Sequence, residues 1–281
     1  MTDPHSVRVF YNRLAADCHL LYGDWQASVQ RQGTALDRVL RAELGDRQVH
    51  VWDCDCGIGT QAIGLAAAGH AVVGTDLSPN AAARAAAEAR ARGLALPTAA
   101  ADMRHLPVTP GAFDAVVCAD NSLAHLLTRD DVASALTTMR TALRPNGLLL
   151  LSMRDYDEVR AQRRSATQPQ ITQTDTGRVI SFQLWHWHDD GERYDLEHFQ
   201  LHPGGGPTAD ATNASGSNSG DSNTDGWTVR TRRTTSWALT QAQVTAAVAA
   251  TGFHDITWHS PEDSGFFQPL LVAHAGGAGS G

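Results

Sequence analysis

The first 44 residues carry apolar side chains at helical intervals. Positions 7, 10, 11 and 14 are apolar, and the same period resumes from Trp25 to Leu44 after an interruption at Gly23. Spacings of three and four place these side chains on one face of a helix. The pattern therefore predicts helices on both sides of Gly23.

From residue 49 onwards, short apolar runs alternate with helical segments. The runs cover residues 49–53, 71–76, 98–101, 113–119 and 148–153. Between them, Gly69 is a typical helix stop, and Ser78 can cap a helix that starts at Pro79. Apolar strands that alternate with helices are typical of a parallel sheet covered on both faces. This rhythm predicts an α/β unit over residues 48–157.

The pattern changes after residue 157. Longer runs at 178–188, 194–201 and 227–237 predict antiparallel strands, and a helix and two short strands follow at 240–251, 256–259 and 269–274. We therefore expect residues 158–275 to form an antiparallel C-terminal lobe that also completes the sheet. The segments 203–226 and 276–281 contain few apolar residues, which predicts a flexible loop and a disordered tail.

Composition narrows the classes of protein. The chain has 281 residues, of which 42% are hydrophobic, and a net charge of −8. An acidic chain lacks the charge pattern of a general nucleic-acid binder. No run approaches the ~20 apolar residues of a membrane span, and the N-terminus does not resemble a signal peptide. Four cysteines without disulfide or zinc spacing predict a cytoplasmic protein with reduced thiols.

Polar residues follow four successive predicted strands, where a parallel sheet of this kind usually binds its ligand. After the first strand, Gly57 and Gly59 allow a ligand to approach the backbone closely. Asp76 ends the second strand, where a carboxylate can bind ribose hydroxyls. Asp102 and Met103 end the third strand, where they can contact an adenine ring, and Asp120 ends the fourth.

Together these segments resemble the class I S-adenosylmethionine-dependent methyltransferases, within the group similar to glycine N-methyltransferases. The resemblance covers residues 48–157 and is carried by Val51–Thr60, Gly74–Ser78, Ala101–Met103, Asp120–Leu126, Leu143–Gly147 and Arg154–Asp157. It implies a Rossmann-like methyltransferase sheet, with residues 1–47 as an N-terminal helical lid. It also implies S-adenosylmethionine as the cofactor, bound by Asp53, Asp55, Gly57, Gly59, Asp76, Leu77, Asp102, Met103, Asp120 and Arg31.

The resemblance further implies which residues face the reaction. Asn121 is expected near the transferred methyl group. Arg154 is expected to hold a substrate carboxylate, since its guanidinium is a planar fork; the alternative is a salt bridge to Asp155 or Asp157. His125 is either a general base or substrate partner, or a structural histidine.

Other candidate residues leave two interpretations open. Asp55 stands where the broader family often has Gly, and it either pairs with the ammonium of the cofactor or points to solvent. Arg31 can bind the methionine carboxylate, and Tyr22 and Trp25 can contact the substrate; the alternative is packing or solvated charge. Phe267 either walls the substrate pocket or packs in the core.

A metal site is the weaker interpretation of a histidine-rich hairpin. His186 and His188 share one face of a predicted strand and Glu192 follows, but no further histidine partner is apparent. We expect an amphipathic hairpin with Trp185 and Trp187 on its other face, and no metal.

These observations predict N-methylation of a small amine or amino acid. O- or C-methylation of a small natural product remains an alternative, as does a non-catalytic regulatory protein that binds S-adenosylmethionine. Asp102, Met103 and the segment 121–125 speak against an NAD-binding oxidoreductase. We expect a small-molecule substrate and neither nucleic acid nor membrane as partner; an oligomer is compatible with the sequence.

Overall fold

The computed structural model describes residues 4–106, 109–204 and 226–276. The N-terminal region contains α1 (Pro4–Leu14), a short 3-10 helix (Cys18–Leu21) and α2 (Trp25–Leu44). Most of the loop expected at 203–226, and the tail expected after Gly276, lie outside the described residues.

The larger sheet has seven strands in the order β10-β11-β5-β4-β1-β2-β3. Its parallel part consists of β1 to β5, and β10 and β11 are antiparallel. The strand bounds are β1 His50–Asp53, β2 Ala71–Asp76, β3 Thr98–Ala100, β4 Phe113–Cys118, β5 Leu143–Ser152, β10 Phe253–His259 and β11 Leu270–Ala275. The helices that accompany them are α3 Thr60–Ala67, α4 Pro79–Ala91, α5 Arg129–Ala142, α6 Tyr156–Gln162, α7 Gln241–Ala250 and α8 Pro261–Ser264. The expected Rossmann-like α/β sheet is confirmed.

A separate four-stranded antiparallel sheet confirms the second part of the expected fold. It consists of β6 Gln170–Thr174, β7 Gly177–Trp187, β8 Arg193–Pro203 and β9 Trp227–Trp237, in that order. The sequence pattern did not predict β6, because Ile171 is its sole apolar residue. On β7, the side that faces the protein carries Val179, Ser181 and Trp185, whereas the apolar set at 180, 182 and 184 is only half-buried.

Strand β5 begins earlier than expected. The pattern placed its start at Leu148, after a helix-ending Pro145-Asn146-Gly147 turn. In the structure Leu143 already pairs with Phe113, and the next pair is Leu148 with Ala115. The turn is thus accommodated as a bulge inside the strand, which lets the chain enter the sheet directly from α5.

Helix α2 is packed tightly onto the α/β unit through two glycines. A β-carbon on Gly33 would lie 2.5 Å from the Cα of Gly64, and one on Gly64 would lie 2.6 Å from the carbonyl oxygen of Val29. Leu36 and Leu40 on the same helix are fully buried. The contact of α2 with α3 therefore depends on the absence of side chains at both glycines.

The segment after α1 is tied to the antiparallel sheet by a buried ionic network. The carboxylate oxygen Oδ2 of Asp17 accepts hydrogen bonds from Arg230 and Arg232, each at 2.7 Å. Arg232 also donates to the side chain of Gln200 at 2.6 Å. Burial alone would raise the pKa of Asp17, but the two guanidinium groups lower it, so the carboxylate is charged. The N-terminal segment thus contacts β8 and β9 directly.

Candidate active site

Three adjoining cavities lie at the carboxyl ends of the parallel strands, and the antiparallel sheet lines two of them. The inner cavity is lined by the glycine loop, the ends of β2 and β4, α1 and the antiparallel sheet. The side cavity adjoins it and includes the end of β3; the two share Tyr11, Asp55, Asp76, Ser122 and His125. The outer cavity adjoins the inner one on the other side and shares Leu21, Tyr22, Asp120, Arg154, Gln183 and His198.

The loop after β1 turns sharply at two glycines with positive φ, 53° at Gly57 and 94° at Gly59. A β-carbon on Gly59 would lie 2.8 Å from the Cδ1 atom of Ile63, so this position requires glycine. A β-carbon on Gly57 would meet no atom within 4 Å in the described structure. The backbone at Gly57 is therefore open to a ligand in the inner cavity.

Three carboxyl groups surround this loop, and burial raises the pKa of each. The pKa of Asp53 rises to about 8, and the charge of Asp55 adds to the effect of burial. Burial and the nearby Asp55 raise the pKa of Asp76 well above its usual value. Burial also raises the pKa of Asp55, although Ser122 donates a hydrogen bond to it. The loop therefore carries less negative charge at neutral pH than its sequence suggests.

The carboxylate of Asp76 organises the loop and faces two cavities. Its Oδ2 accepts from the backbone N–H of Gly57 at 2.9 Å, and its Oδ1 accepts from that of Ser78 at 2.7 Å. The same residue lines both the inner and the side cavity. Asp55 also lines both cavities rather than pointing to bulk solvent.

The side cavity ends at the residues that follow β2 and β3. Leu77, Asp102 and Met103 line it. Arg104 donates to both carboxylate oxygens of Asp102, at 3.0 and 2.6 Å, and also binds Asp131 at 2.6 Å. Burial would raise the pKa of Asp102, but these bonds lower it, so Asp102 is an ionised acceptor on the cavity wall.

Two residues after β4 adopt a left-handed backbone, with φ 56° at Asp120 and 72° at Asn121. Neither is glycine, and such conformations are costly unless the surroundings hold them. The Asn121 Oδ1 atom accepts from the backbone N–H of Arg154 at 2.6 Å, and the Tyr22 hydroxyl donates to Asp120 Oδ2 at 3.1 Å. Burial raises the pKa of Asp120, whereas the charge of Arg154 lowers it.

The Arg154 guanidinium faces the inner and outer cavities and lies over the Trp185 ring, 5.4 Å from its centroid. The salt bridges considered from the sequence do not form. Asp155 caps α6 by accepting from the N–H of Glu158, and Asp157 accepts from the N–H of Gln241. Within the described residues, no carboxylate oxygen lies within 4 Å of the Arg154 nitrogens.

His125 is a neutral imidazole near pH 7 and is hydrogen-bonded to Tyr11. The Tyr11 hydroxyl lies 2.6 Å from its Nε2 atom. Burial lowers the pKa of His125 to about 4, and the positive charge of Arg154 acts in the same direction. The position of His125 on both the inner and side cavities makes it a polar wall between them.

Some candidate residues line the outer cavity, and others line none of the three cavities. Arg31 lines the outer cavity and donates to the Ser28 hydroxyl, and Phe267 lines the same cavity with 48% of its surface exposed. The Trp25 indole donates to Thr60 and lies between the guanidinium groups of two arginines, Arg84 and Arg92. In the described structure, Trp25, Asp53 and Gly59 do not line the three cavities.

The polar residues that the antiparallel sheet contributes to the cavities were not predicted from the sequence. Gln183, His198 and Thr234 line the inner cavity, and Ser181 lines the outer one. A pattern along one strand shows alternation, but it does not show which neighbouring strand completes a face. The signal that was present is the polar set at alternate positions 181 and 183, opposite an apolar set at 180, 182 and 184.

The structure gives no support for the metal interpretation. His186 pairs with Glu197 and His188 with Asp195, in exposed or half-buried positions. Among residues 4–106, 109–204 and 226–276, no cluster of three metal-binding side chains is present. Within the same ranges, no helix has the length and apolar character needed to cross a membrane.

Comparison with known proteins agrees with this geometry. Residues 51–147 match a family described as a methyltransferase domain. The chain is 40% identical over 137 residues to a glycine/sarcosine N-methyltransferase of Parasynechococcus marenigrum (strain WH8102), covering 48% of each protein. The chain thus spans about half the length of the curated relatives it matches.

Solved structures share the fold over most of the chain. A S-adenosylmethionine-dependent methyltransferase from Clostridium acetobutylicum ATCC 824 superposes with a TM-score of 0.67 at 13% identity, covering 88% of this chain and 92% of that one. CalS10, an amino pentose methyltransferase from Micromonospora echinaspora solved with S-adenosylmethionine bound, has a TM-score of 0.62 at 21% identity, covering 88% and 92%. The resemblance predicted from the sequence is confirmed.

Proposed function

We propose that this chain, in which residues 51–147 match a methyltransferase domain, transfers the methyl group of S-adenosylmethionine to the nitrogen of a small amine or amino acid. The names of the relatives, which act on glycine and sarcosine, support nitrogen as the acceptor atom. The observation that carries the proposal is Arg154, a half-buried cation that faces the inner and outer cavities and has no carboxylate partner in the described structure.

The cavities fit the cofactor in two parts. The open backbone at Gly57 and the inner cavity suit the methionine part, next to Asp55 and Asp120. The side cavity, with Leu77, Asp102 and Met103, suits the adenosine part. Asp76 lies where the two cavities meet, which is the position required for a ribose acceptor. When bound, S-adenosylmethionine supplies an electrophilic methyl group on a sulfonium.

The residues around Arg154 suit an acceptor with two ends. The guanidinium can bind a carboxylate through two parallel hydrogen bonds. Asp120 lies close enough for its charge to interact with Arg154, and it can accept a hydrogen bond from the amine. Asn121 holds the backbone of Arg154 in place. These contacts fix the direction of the nitrogen lone pair, which is what an in-line transfer needs from the protein.

The acceptor must lose a proton, and the site accommodates this without a strong base. A neutral amine attacks through its lone pair, and the extra proton leaves afterwards. Burial raises the pKa of Asp120, and its bond to the Tyr22 hydroxyl fixes its orientation. Asp120 is therefore the group best placed to accept the proton that the nitrogen loses.

The test is to compare Arg154→Lys with the parent protein in steady-state kinetics. The substrates are glycine and sarcosine, and their decarboxylated analogues are methylamine and dimethylamine. Lysine keeps the charge but cannot form the two-pronged contact, so kcat/KM on the acids should fall about tenfold or more, or roughly 1.4 kcal/mol. Affinity for S-adenosylhomocysteine should not change.

Arg233→Lys is the matched control, because Arg233 lies exposed on the antiparallel sheet and does not line the described cavities. Equal turnover of acids and analogues by the parent would contradict the carboxylate contact. Binding of S-adenosylhomocysteine without methylation of any amine would instead favour the non-catalytic alternative, and methylation of phenols would favour O-transfer.

A further inference from the structure

The inner face of the antiparallel sheet buries polar atoms that lack partners. Both ring nitrogens of His198, the Ser181 hydroxyl and the Thr234 hydroxyl make no hydrogen bond within the described structure. All three residues are buried, with 1% exposure for His198. A buried polar atom without a partner costs about 1–3 kcal/mol, so such atoms are rare and call for a ligand or water.

These atoms lie on one face of three adjacent strands. His198 on β8 is paired with Gln183 on β7 and with Arg232 on β9. Ser181 and Thr234 are each two residues from those partners, so their side chains emerge on the same side of the sheet. His198 lines both the inner and the outer cavity, Thr234 lines the inner one and Ser181 the outer one.

The charges around this face select a neutral ligand. Arg232, the neighbouring cation, is already bound to Asp17 and Gln200. Burial lowers the pKa of His198 to about 4, and the charge of Arg232 acts in the same direction. His198 is therefore a neutral imidazole at pH 7, with one N–H donor and one acceptor nitrogen. The two hydroxyls likewise both donate and accept.

A hydroxyl group is the ligand that matches this pattern, because it donates one hydrogen bond and accepts others. A carboxylate only accepts hydrogen bonds, and Arg154 is available to bind it where the inner and outer cavities meet. An ammonium only donates hydrogen bonds, and Asp120 is available to accept them. The face of β7, β8 and β9 thus offers a third kind of contact that a substrate as small as glycine does not use.

We propose that His198, which lines both the inner and the outer cavity, binds a hydroxyl group of the methyl acceptor, so that the substrate is a hydroxyl-bearing amine. The proposal rests on the proposed function for the amine and extends it. The hydroxyl can belong to the side chain of an amino acid or to an amino sugar, since both present the same chemistry.

The test measures binding of matched pairs to the complex with S-adenosylhomocysteine by calorimetry. The pairs are serine with alanine, homoserine with 2-aminobutyrate, and glucosamine with cyclohexylamine. We expect the hydroxylated member of at least one pair to bind about tenfold or more tightly, since a site built for a hydroxyl rejects the analogue without it. The pair that shows the preference identifies the source of the hydroxyl.

Three variants assign the preference to His198. His198→Leu should reduce it to less than about threefold and leave the affinity for the unhydroxylated member unchanged. His198→Gln, whose amide both donates and accepts, should retain part of it. His202→Leu is the matched control, because His202 lies on the same strand but does not line the described cavities.

Absence of any preference in the parent, or its survival in His198→Leu, would overturn the proposal and leave water as the occupant of this face. If His198→Leu loses affinity for S-adenosylhomocysteine, His198→Met provides the same comparison. A methylation assay is run in parallel. Preferential binding without N-methylation would refute the proposed function alone, and N-methylation without preference would refute this inference alone.

Discussion

The two sides of the cavity system are built on opposite principles. On the side of the glycine loop, the polar groups largely bind one another: Asp76 accepts from two backbone N–H groups, and Asp55 accepts from Ser122. On the side of the antiparallel sheet, His198, Ser181 and Thr234 have no partner in the described structure. The first side is assembled before a ligand arrives, whereas the second leaves hydrogen bonds for the ligand to complete.

The same contrast appears in the electrostatics. Burial raises the pKa values of the acids near the loop, and it lowers those of His125 and His198. Both shifts favour the neutral form. These acids and histidines therefore add little charge at pH 7, and the two kinds of group respond to pH in opposite directions.

The largest effect expected from this contrast is a loss of stability as the pH rises from about 4 to about 8, and it concerns Asp53. Its pKa is about 8 when folded and about 4 when unfolded. Between these values the folded state holds a proton that the unfolded state has lost, so stability falls as pH rises. A shift of this size is worth up to roughly 5 kcal/mol. Asp53→Asn should flatten this decline in urea unfolding at pH 5 and pH 8.

Asp189→Asn is the control, because Asp189 is exposed in the turn between β7 and β8. An Asp53→Asn protein with the same decline as the parent would show that Asp53 titrates normally.

The next effect concerns His198 and acid pH, where the sign reverses. Its pKa is about 4 when folded and about 6.5 when unfolded. In this interval the unfolded state holds the additional proton, so stability falls as pH decreases. His198→Leu should remove roughly 2 kcal/mol of this loss between pH 7 and pH 4.5. Urea unfolding measures it, and exposed His186→Leu should change nothing. An unchanged acid decline would mean that His198 is not held neutral by burial.

The smallest of the three effects separates ligand binding on the two sides. Asp76→Ala removes the carboxylate between the inner and side cavities. Loss of its hydrogen bonds to the ribose hydroxyls costs about 1–3 kcal/mol, so affinity for S-adenosylhomocysteine should fall about tenfold. The preference for the hydroxylated amine, which we assign to His198, should persist in this variant. Calorimetry with Asp189→Ala as control measures both, and full affinity in a folded Asp76→Ala would disprove the ribose role.

The loop side was predictable because its determinants are local in sequence. Ser78 was expected to cap a helix that starts at Pro79, and its hydroxyl accepts from the N–H of Ala81 at 3.1 Å. Glycines and acids at strand ends follow directly from the requirements of a tight turn. The class I methyltransferase fold could therefore be recognised from residues 48–157.

The cavity residues of the antiparallel sheet were not predictable, because their positions depend on strand pairing between residues far apart in the sequence. His198 faces a cavity owing to its register with Gln183 and Arg232, which are 15 and 34 residues away in the chain. Ser181 and Gln183 line the cavities from β7, and the apolar set at 180, 182 and 184 is only half-buried. Alternation along β7 therefore separates two faces but does not show which of them faces the cavities.

The network between Asp17, Arg230 and Arg232 has a consequence for protein engineering. Residues that line the inner and outer cavities come from β7, β8 and β9, but the carboxylate of Asp17 in the N-terminal segment binds Arg232, the cross-strand partner of His198. A chimera that exchanged only the antiparallel sheet with that of a relative would leave Asp17 opposite foreign side chains. The smallest exchangeable unit is thus discontinuous: the segment around Asp17 has to be transplanted together with the sheet.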